Sequence, residues 1–453
     1  MRSLFLILLC FQLSAQSANW KDFGPNQRLI ASAKLCLDST QNLYYSANGD
    51  TNHLPGKKWA LYKIDPQGNV IWNKLYGGVG NYTASQILFN KDKLFVAGDK
   101  NWNDTDRAWV MILDTAGNVL QQNFFGSGDS VVLGQDIAIN QNSELALLNQ
   151  VRSQSGQPLG AQVLILDTNL NVLDRHLQLD TAEFVSHEIC PLPFGGWVYT
   201  ADYQQPTRFD ILVTKIDARA QFVKRVIVSN GYTRGGNAIA MNDQHQIVIG
   251  GEGASAFSVS FDITLTRLDT NLNLISDVFV RPGVVKNDAC FDMAISPYGT
   301  YLFTGYYIAP ENGNTEMIVV ESDSLGNRLH IDTYAKSSTC IGSGIICDNQ
   351  GRFYAAGSDF NLAPSLILAS GMAKGLNTRK PKGLENLEFF PQPFQDELFV
   401  KGDFRPQEWK LLDALGREYD FHYQEGKIKA SLKPGYYFLR SSQSNQVYRL
   451  ISQ

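Results

Sequence analysis

Apolar and polar residues alternate along this chain in short runs of roughly four to eight, each closed by a polar turn, and that period of two reads as β-strand. One unit keeps returning. In Leu61-Tyr62-Lys63-Ile64-Asp65-Pro66-Gln67-Gly68-Asn69-Val70-Ile71-Trp72 a strand ends at Ile64, a turn is built on Asp65, Gly68 and Asn69, and an outgoing strand carries aromatics at Trp72 and Tyr76. The aspartate recurs at Asp114, Asp167, Asp217, Asp269 and Asp323, at spacings of 49, 53, 50, 52 and 54 residues. A period near fifty with several strands per unit suits a propeller blade and is too long for leucine-rich or ankyrin repeats. Four strands per blade are expected. Leu88 to Gly98 shows the inner hairpin, a strand, a polar turn and a second strand ending in small residues that would let blades pack face to face.

The two ends of the repeat complement each other. Asn19-Trp20-Lys21-Asp22-Phe23-Gly24 resembles an outer strand with no blade before it, whereas residues 343–369 supply three strands and lack a fourth. Joining them closes a ring and removes open sheet edges. The pattern therefore predicts an all-β chain: a seven-bladed β-propeller over residues 18–370 whose N-terminal strand closes the last blade, then a linker over 371–383. Short alternating strands at Leu387–Phe390, Glu397–Val400, Glu408–Leu412, Lys427–Ser431, Tyr436–Arg440 and Val447–Ile451 predict a small Ig-like β-sandwich over 384–453.

Composition adds limits. With 453 residues, 44% of them apolar, a large core can be buried, and a net charge of −5 without any basic run gives no footprint for nucleic acid or an anionic membrane. Met1-Arg2 followed by the apolar run Leu4 to Leu13 and small residues at Ala15 and Ser17 predicts a signal peptide over 1–17. No other stretch approaches the roughly 18–20 apolar residues of a membrane span, so no transmembrane span is expected. Leu9 before Cys10 argues against lipidation. The remaining cysteines, Cys36, Cys190, Cys290, Cys340 and Cys347, lack metal-site spacing. Cys290 and Cys340 occupy similar places in neighbouring blades, and both a disulfide and two separate buried thiols fit that placement.

Three segments near the end carry a family likeness. Phe389-Phe390-Pro391-Gln392-Pro393-Phe394, then Leu411-Leu412-Asp413-Ala414-Leu415-Gly416-Arg417, then Lys433-Pro434-Gly435-Tyr436-Tyr437-Phe438, with a basic, apolar tail, together resemble the C-terminal sorting domain of type IX secretion cargo; Gln392 stands where that family has asparagine. The resemblance implies a Bacteroidetes-type bacterium, export to the periplasm, recognition of residues 384–453 by the type IX machinery, and release or attachment at the outer cell surface. It implies nothing about a ligand.

No nucleophile elbow, zinc helix, phosphate loop or EF-hand is present. The aspartate turns lack the alternating oxygens and terminal glutamate of a calcium loop, so no cofactor is expected and calcium has no loop motif behind it. His176, His245, His330 and His422 are expected to be solvated. The residue pairs ahead of each innermost strand are Ser85-Gln86, Gln135-Asp136, His187-Glu188, Gly236-Asn237, Phe291-Asp292 and Ser343-Gly344. Superposed, they would line one channel mouth. Asp136, Glu188 and Asp292 would form a carboxylate ring with His187 beside it, suited to a cation, a basic group or acid–base cleavage of a sugar. Variable loops between second and third strands would share that face, with Trp102, Tyr203, Tyr306 and Tyr307 as aromatic contacts for carbohydrate, peptide or protein. Three readings stand: a binding module for an unidentified macromolecule, a polysaccharide-degrading enzyme, and a non-catalytic structural protein of the cell surface or gliding layer.

Overall fold

A computed structural model describes residues 19–23, 29–49, 58–78, 80–102, 105–126, 131–180, 184–255, 258–280, 287–309, 312–335, 337–360, 365–375, 388–390, 397–401, 406, 409–413, 417–424, 427–441 and 447–452. The expected signal peptide, most of the linker, Pro391-Gln392-Pro393 and Ala414-Leu415-Gly416 lie outside the described residues. The chain divides into two compact units, Met1–Leu376 and Asn377–Gln453. Among the described residues every regular element is a strand and none is an α-helix.

Among the described residues the first unit contains seven four-stranded antiparallel sheets. Six are consecutive in sequence, spanning residues 29–76, 81–125, 131–179, 184–228, 234–280 and 288–334, and are called sheets 1 to 6. Sheet 7 combines Cys340–Cys347, Arg352–Asp359 and Ser365–Met372 with a fourth strand from the other end of the chain, Asn19–Phe23. That strand pairs antiparallel from Asn19 opposite Ser370 to Phe23 opposite Leu366.

Sequence alternation explains which strands go inside. The second and third strands of a sheet are apolar on both faces and buried, as in Leu145–Arg152, whereas the fourth, as in Val70–Tyr76, is exposed until its final aromatic. Seven apolar clusters hold the sheets together, one at each junction: sheets 1 and 2, 2 and 3, 3 and 4, 4 and 5, 5 and 6, 6 and 7, and 7 with 1. Each fully buried leucine, isoleucine or valine in them contributes about 1.5–3 kcal/mol. At the last junction the Tyr45 hydroxyl of sheet 1 donates to the carbonyls of Gly357 and Ile367 in sheet 7.

All six aspartate turns form as the residue chemistry predicts. In the first, Asp65 Oδ1 accepts the Asn69 N–H at 2.7 Å and Oδ2 accepts the Asn69 side-chain amide at 2.9 Å. Asp114, Asp167, Asp217, Asp269 and Asp323 hold the residue four positions on in the same way through its N–H. The same turn also joins first to second strands, on Asp38, Asn140, Asn242, Ser296 and Asp348, a set that varied side chains hid from sequence reading.

The small residues closing the second strands serve both their own sheet and the next: a Cβ on Gly98, Gly251 or Gly305 would lie 1.9 Å from the carbonyl oxygen of Thr83, Gly235 or Ala289 on the adjoining first strand, while Ala47 and Ala201 pack in the junctions of sheets 7 with 1 and 3 with 4. One expectation is corrected. His176 is buried, not solvated, and burial holds its imidazole below the usual range. Cys290 and Cys340 are separate buried thiols.

In the second unit Glu388–Phe390, Glu397–Lys401, Lys427–Lys429 and His422–Gln424 form one four-stranded sheet, and Glu418–Tyr419, Trp409–Asp413, Gly435–Ser441 and Val447–Ser452 form another. Leu398 and Ile428 from the first share a core with Trp409, Leu411, Leu439 and Leu450 from the second. The strands at 418–419 and 422–424 are too short to leave a period in the sequence.

Candidate functional site

The first strand of every sheet in the first unit breaks register, in sheets 2 to 7 at equivalent places and in sheet 1 slightly earlier along the strand. The pairing skips between Ala31 and Ala33, Ala84 and Gln86, Gly134 and Asp136, Ser186 and Ile189, Gly235 and Ala238, Cys290 and Asp292, and Gly342 and Gly344. The β-bulges of sheets 2 to 7 sit on the six residue pairs that the sequence singled out. A bulge re-aims side chains out of the alternation, so the chemistry gathers at these positions.

Asp136, Glu188 and Asp292 do come together, around a residue that sequence reading passed over. Lys34 Nζ lies 2.7 Å from Glu188 Oε1 and 3.3 Å from Asp292 Oδ1. Each carboxylate also reaches into the next sheet: Asp136 Oδ2 accepts the Ile189 N–H at 2.8 Å, Glu188 Oε2 the Ile239 N–H at 3.1 Å, and Asp292 Oδ2 the Ile345 N–H at 2.8 Å. The signal for Lys34 was positional, because it pairs with Ser46 in the second strand at the register position where Gln86, Asp136 and Asp292 pair with Ala97, Leu148 and Thr304.

Electrostatics at this node pull against one another. Burial disfavours the Lys34 ammonium, yet Asp292 and Glu188 outweigh it and hold the lysine above its usual range. Glu188 is pushed up to about 8, by burial first and by the charges of Asp292 and Asp136, with Lys34 opposing. Burial also raises Asp136 against the hydrogen bonds from Ile189 and Gln86. One ammonium therefore faces three carboxyl groups whose oxygens are already engaged in joining sheets.

The second strands carry a neighbouring tier: Asn48, Asp99, Gln150, Asp202, Glu252, Tyr306 and Ser358 occupy one register position across the seven sheets. In sheets 1, 3 and 4 this residue bonds the backbone of the following sheet. Asn48 Oδ1 accepts the Ala84 N–H at 2.7 Å, Gln150 Oε1 the Ser186 N–H at 2.7 Å, and Asp202 Oδ1 the Gly236 N–H at 3.0 Å. Glu252 and Tyr306 depart from that pattern.

Around the departure lies a mixed cluster. His187 Nε2 is 3.0 Å from Asp202 Oδ2, and although burial disfavours its charge, Asp202 raises the imidazole above its ordinary value. Glu252 is pushed up to about 7 by burial and by Asp202, against His187. Phe291, 37% exposed, lies 5.7 Å from Tyr306 between ring centroids, at 47°. Between them sheet 5 contributes Gly235 and Gly236. A Cβ on Gly235 would sit 3.4 Å from both Asp202 Oδ1 and Glu252 Cγ, and a Cβ on Gly236 would strike Ile211 at 2.8 Å. The bulge position that carries His187 in sheet 4 and Phe291 in sheet 6 is Gly236 in sheet 5 and carries no side chain there.

The expected aromatic contacts scatter. Tyr306 joins this cluster, and Tyr203 is half-buried against the apolar junction of sheets 3 and 4. Tyr307 is buried, with its hydroxyl donating to Glu316 at 3.0 Å. The side chain of Trp102 lies outside the described residues. Sequence placed all four on loops, whereas the strands run further: Trp102 pairs with Thr105, Tyr203 with Asp210 and Tyr307 with Glu316. Aromatic residues favour such extended pairing, and it shortens the connections.

No protein-family model matches the chain, and no curated protein matches it. Among solved structures it is similar to Kuenenia stuttgartiensis hydrazine synthase, with a TM-score of 0.51 and 11% identity over 77% of this chain and 99% of that one. It is also similar to the β-propeller domain of the trilobed protease from Pyrococcus furiosus, with a TM-score of 0.45 and 12% identity over 76% and 96%. The WD40 domain of Neurospora crassa Pan2 gives a TM-score of 0.47 and 11% identity over 78% and 96%. At such identities the likeness is one of fold, an all-β chain of four-stranded sheets with β-propeller neighbours.

Proposed function

We propose that this protein is a secreted or surface-held seven-bladed β-propeller that binds a macromolecule at the rim formed by its bulged inner strands, exported by a type IX system through a C-terminal β-sandwich. The seven sheet-to-sheet junctions, with 7 returning to 1, support the propeller. The shared core of the last two sheets and the Gly435–Ser441 strand support the sorting domain. The observation that carries the binding reading is the contrast between two tiers of the same rim. Asp136, Glu188 and Asp292 are spent on backbone N–H groups and Lys34, whereas Glu252 and Tyr306 leave the joining pattern of the second strands, Glu252 beside Gly235 and Tyr306 beside the exposed ring of Phe291. Aromatic faces with a few convergent polar groups are the usual makings of a binding site.

Thermal unfolding of the full chain against neutral and acidic polysaccharides and basic and acidic peptides tests this, because a ligand that binds only the folded state raises the melting temperature. The expected result is a shift from one class, lost on Phe291→Ala. A chain that no member of the panel shifts is a structural component, and one that shifts equally with Phe291→Ala binds elsewhere.

A further inference from the structure

The rim between His187 and Phe291 has a specific chemistry. On the sheet 4 side stand His187 and Asp202, on sheet 5 Glu252 and Asn237, and on the sheet 6 side Phe291 and Tyr306. Asn237 is occupied, donating to the Cys290 carbonyl at 2.7 Å, and Asp202 is shared between His187 and the Gly236 N–H. The Glu252 carboxylate has no hydrogen-bond partner among the described residues. It stands at a position whose occupants in sheets 1, 3 and 4 all have one. Gly235 leaves room beside it for a methyl group at ordinary contact distance, whereas the place of a Cβ on Gly236 is taken up by Ile211 and Ile249, and Tyr306, paired with Phe291, lies within the field of Glu252 from the next sheet.

We propose that this rim binds a cationic amine or guanidinium group, as on a lysine- or arginine-bearing peptide segment, with Glu252 as the counter-ion and the Phe291–Tyr306 pair as the aromatic face. The inference rests on the rim being a binding face and names what it takes. A carboxylate with free lone pairs supplies charge-assisted hydrogen bonds, and a ring face within about 6 Å adds cation–π attraction. Asp202 and Glu252 stand here beside Glu188 and Asp292 of the neighbouring node, with His187 and Lys34 opposing them among the described residues; because Glu252 and Glu188 are pushed up to about 7 and about 8, this field turns toward cations as pH rises through those values. The groups acting on Glu252 are Asp202 and His187 from sheet 4, and Tyr306 and Cys290 lie within its field from sheet 6. An arriving cation stabilises the ionised carboxylate, so binding strengthens as pH rises through the titration of Glu252.

The test is calorimetric titration of the full chain with hexa-arginine, using a neutral glycine–serine hexapeptide and hexaglutamate as controls, at pH 8 and pH 6. One-to-one binding of hexa-arginine alone is expected, weaker by about tenfold in Glu252→Gln and severalfold in Phe291→Ala. The loss of affinity from pH 8 to pH 6 should shrink in Glu252→Gln to the part that protonation of Glu188 and His187 supplies. Should that variant fold poorly, Gly235→Ala serves, since its methyl group meets Asp202 and Glu252 at ordinary contact distance and fills the gap. Equal affinity of a folded Glu252→Gln or Gly235→Ala chain overturns the proposal, as does equal binding of the neutral peptide. In that event a polysaccharide or acidic peptide that still raises the melting temperature preserves the propeller binding module without this ligand.

Discussion

Lys34 shows how one side chain sets the character of its surroundings. It is the cation among three buried or half-buried carboxyl groups, and removing it leaves them without a counter-charge. Breaking such a pair from one side costs about 3–5 kcal/mol, so Lys34→Met should lower unfolding free energy by that order, measured by denaturant titration, and adding Glu188→Gln should recover part of the loss. An unchanged midpoint would mean the node holds its carboxyls protonated and has no need of the lysine. Asp136, Glu188 and Asp292 were legible in the sequence because bulged positions repeat at fixed offsets. Their partners were not legible, since an N–H such as that of Ile189 looks alike in every strand, and a lysine preceding the first recognisable turn carries no repeat signature.

The aspartate turns were the most legible elements, because a carboxylate four residues before an asparagine specifies its own bonds. Less expected is the conformation between them. Gly68, Gly117 and Gly326 take positive φ there, but the same place holds Leu170 at 60°, Ala220 at 57° and Leu272 at 60°. All three non-glycine residues are buried in junctions between sheets, so packing offsets a left-handed backbone that costs about 1–2 kcal/mol. The closing strand Asn19–Phe23 was legible for a different reason, as an outer strand lacking its blade. A chain without residues 1–23 leaves the strand Ser365–Met372 as an open edge. It should melt at lower temperature and self-associate with rising concentration in light scattering, whereas a monomer of unchanged melting temperature would show the strand to be dispensable. The second-to-third connections were misjudged because aromatic strand ends read as loop residues when their cross-strand partners are unknown.

Across the whole molecule two populations of carboxyl groups titrate in opposite senses. Hydrogen bonds from the turn backbone depress Asp65, Asp114 and Asp269, and the Asn171 side chain depresses Asp167, so their stabilisation is complete above about pH 4 and is lost as pH falls through their folded values. Burial raises Glu188 to about 8 and Glu252 and Asp288 to about 7, so the folded chain keeps protons that the unfolded chain has released above about pH 4. Stability from these groups therefore declines as pH climbs toward 8. His187, raised in the fold, adds a decline above its unfolded value, and His176, lowered, opposes it. Calorimetric melting should place the most stable pH near 5 and a lower melting temperature at pH 8.5; a flat or rising profile would contradict the burial of these acids.

The strand Asn19–Phe23 has a further effect on how the first unit withstands damage. Because it lies in the same sheet as Ser365–Met372, the first unit has no terminal sheet that can peel away. A protease that severs one connection, for instance between sheets 3 and 4, makes two fragments that still share the apolar junction at the cut. They also remain joined across the junction of sheets 7 and 1 and by the five residue pairs of the borrowed strand. Release requires all of these to open together, so a single clip leaves the assembly whole, as cutting one link of a necklace does while its clasp and the neighbouring beads still hold.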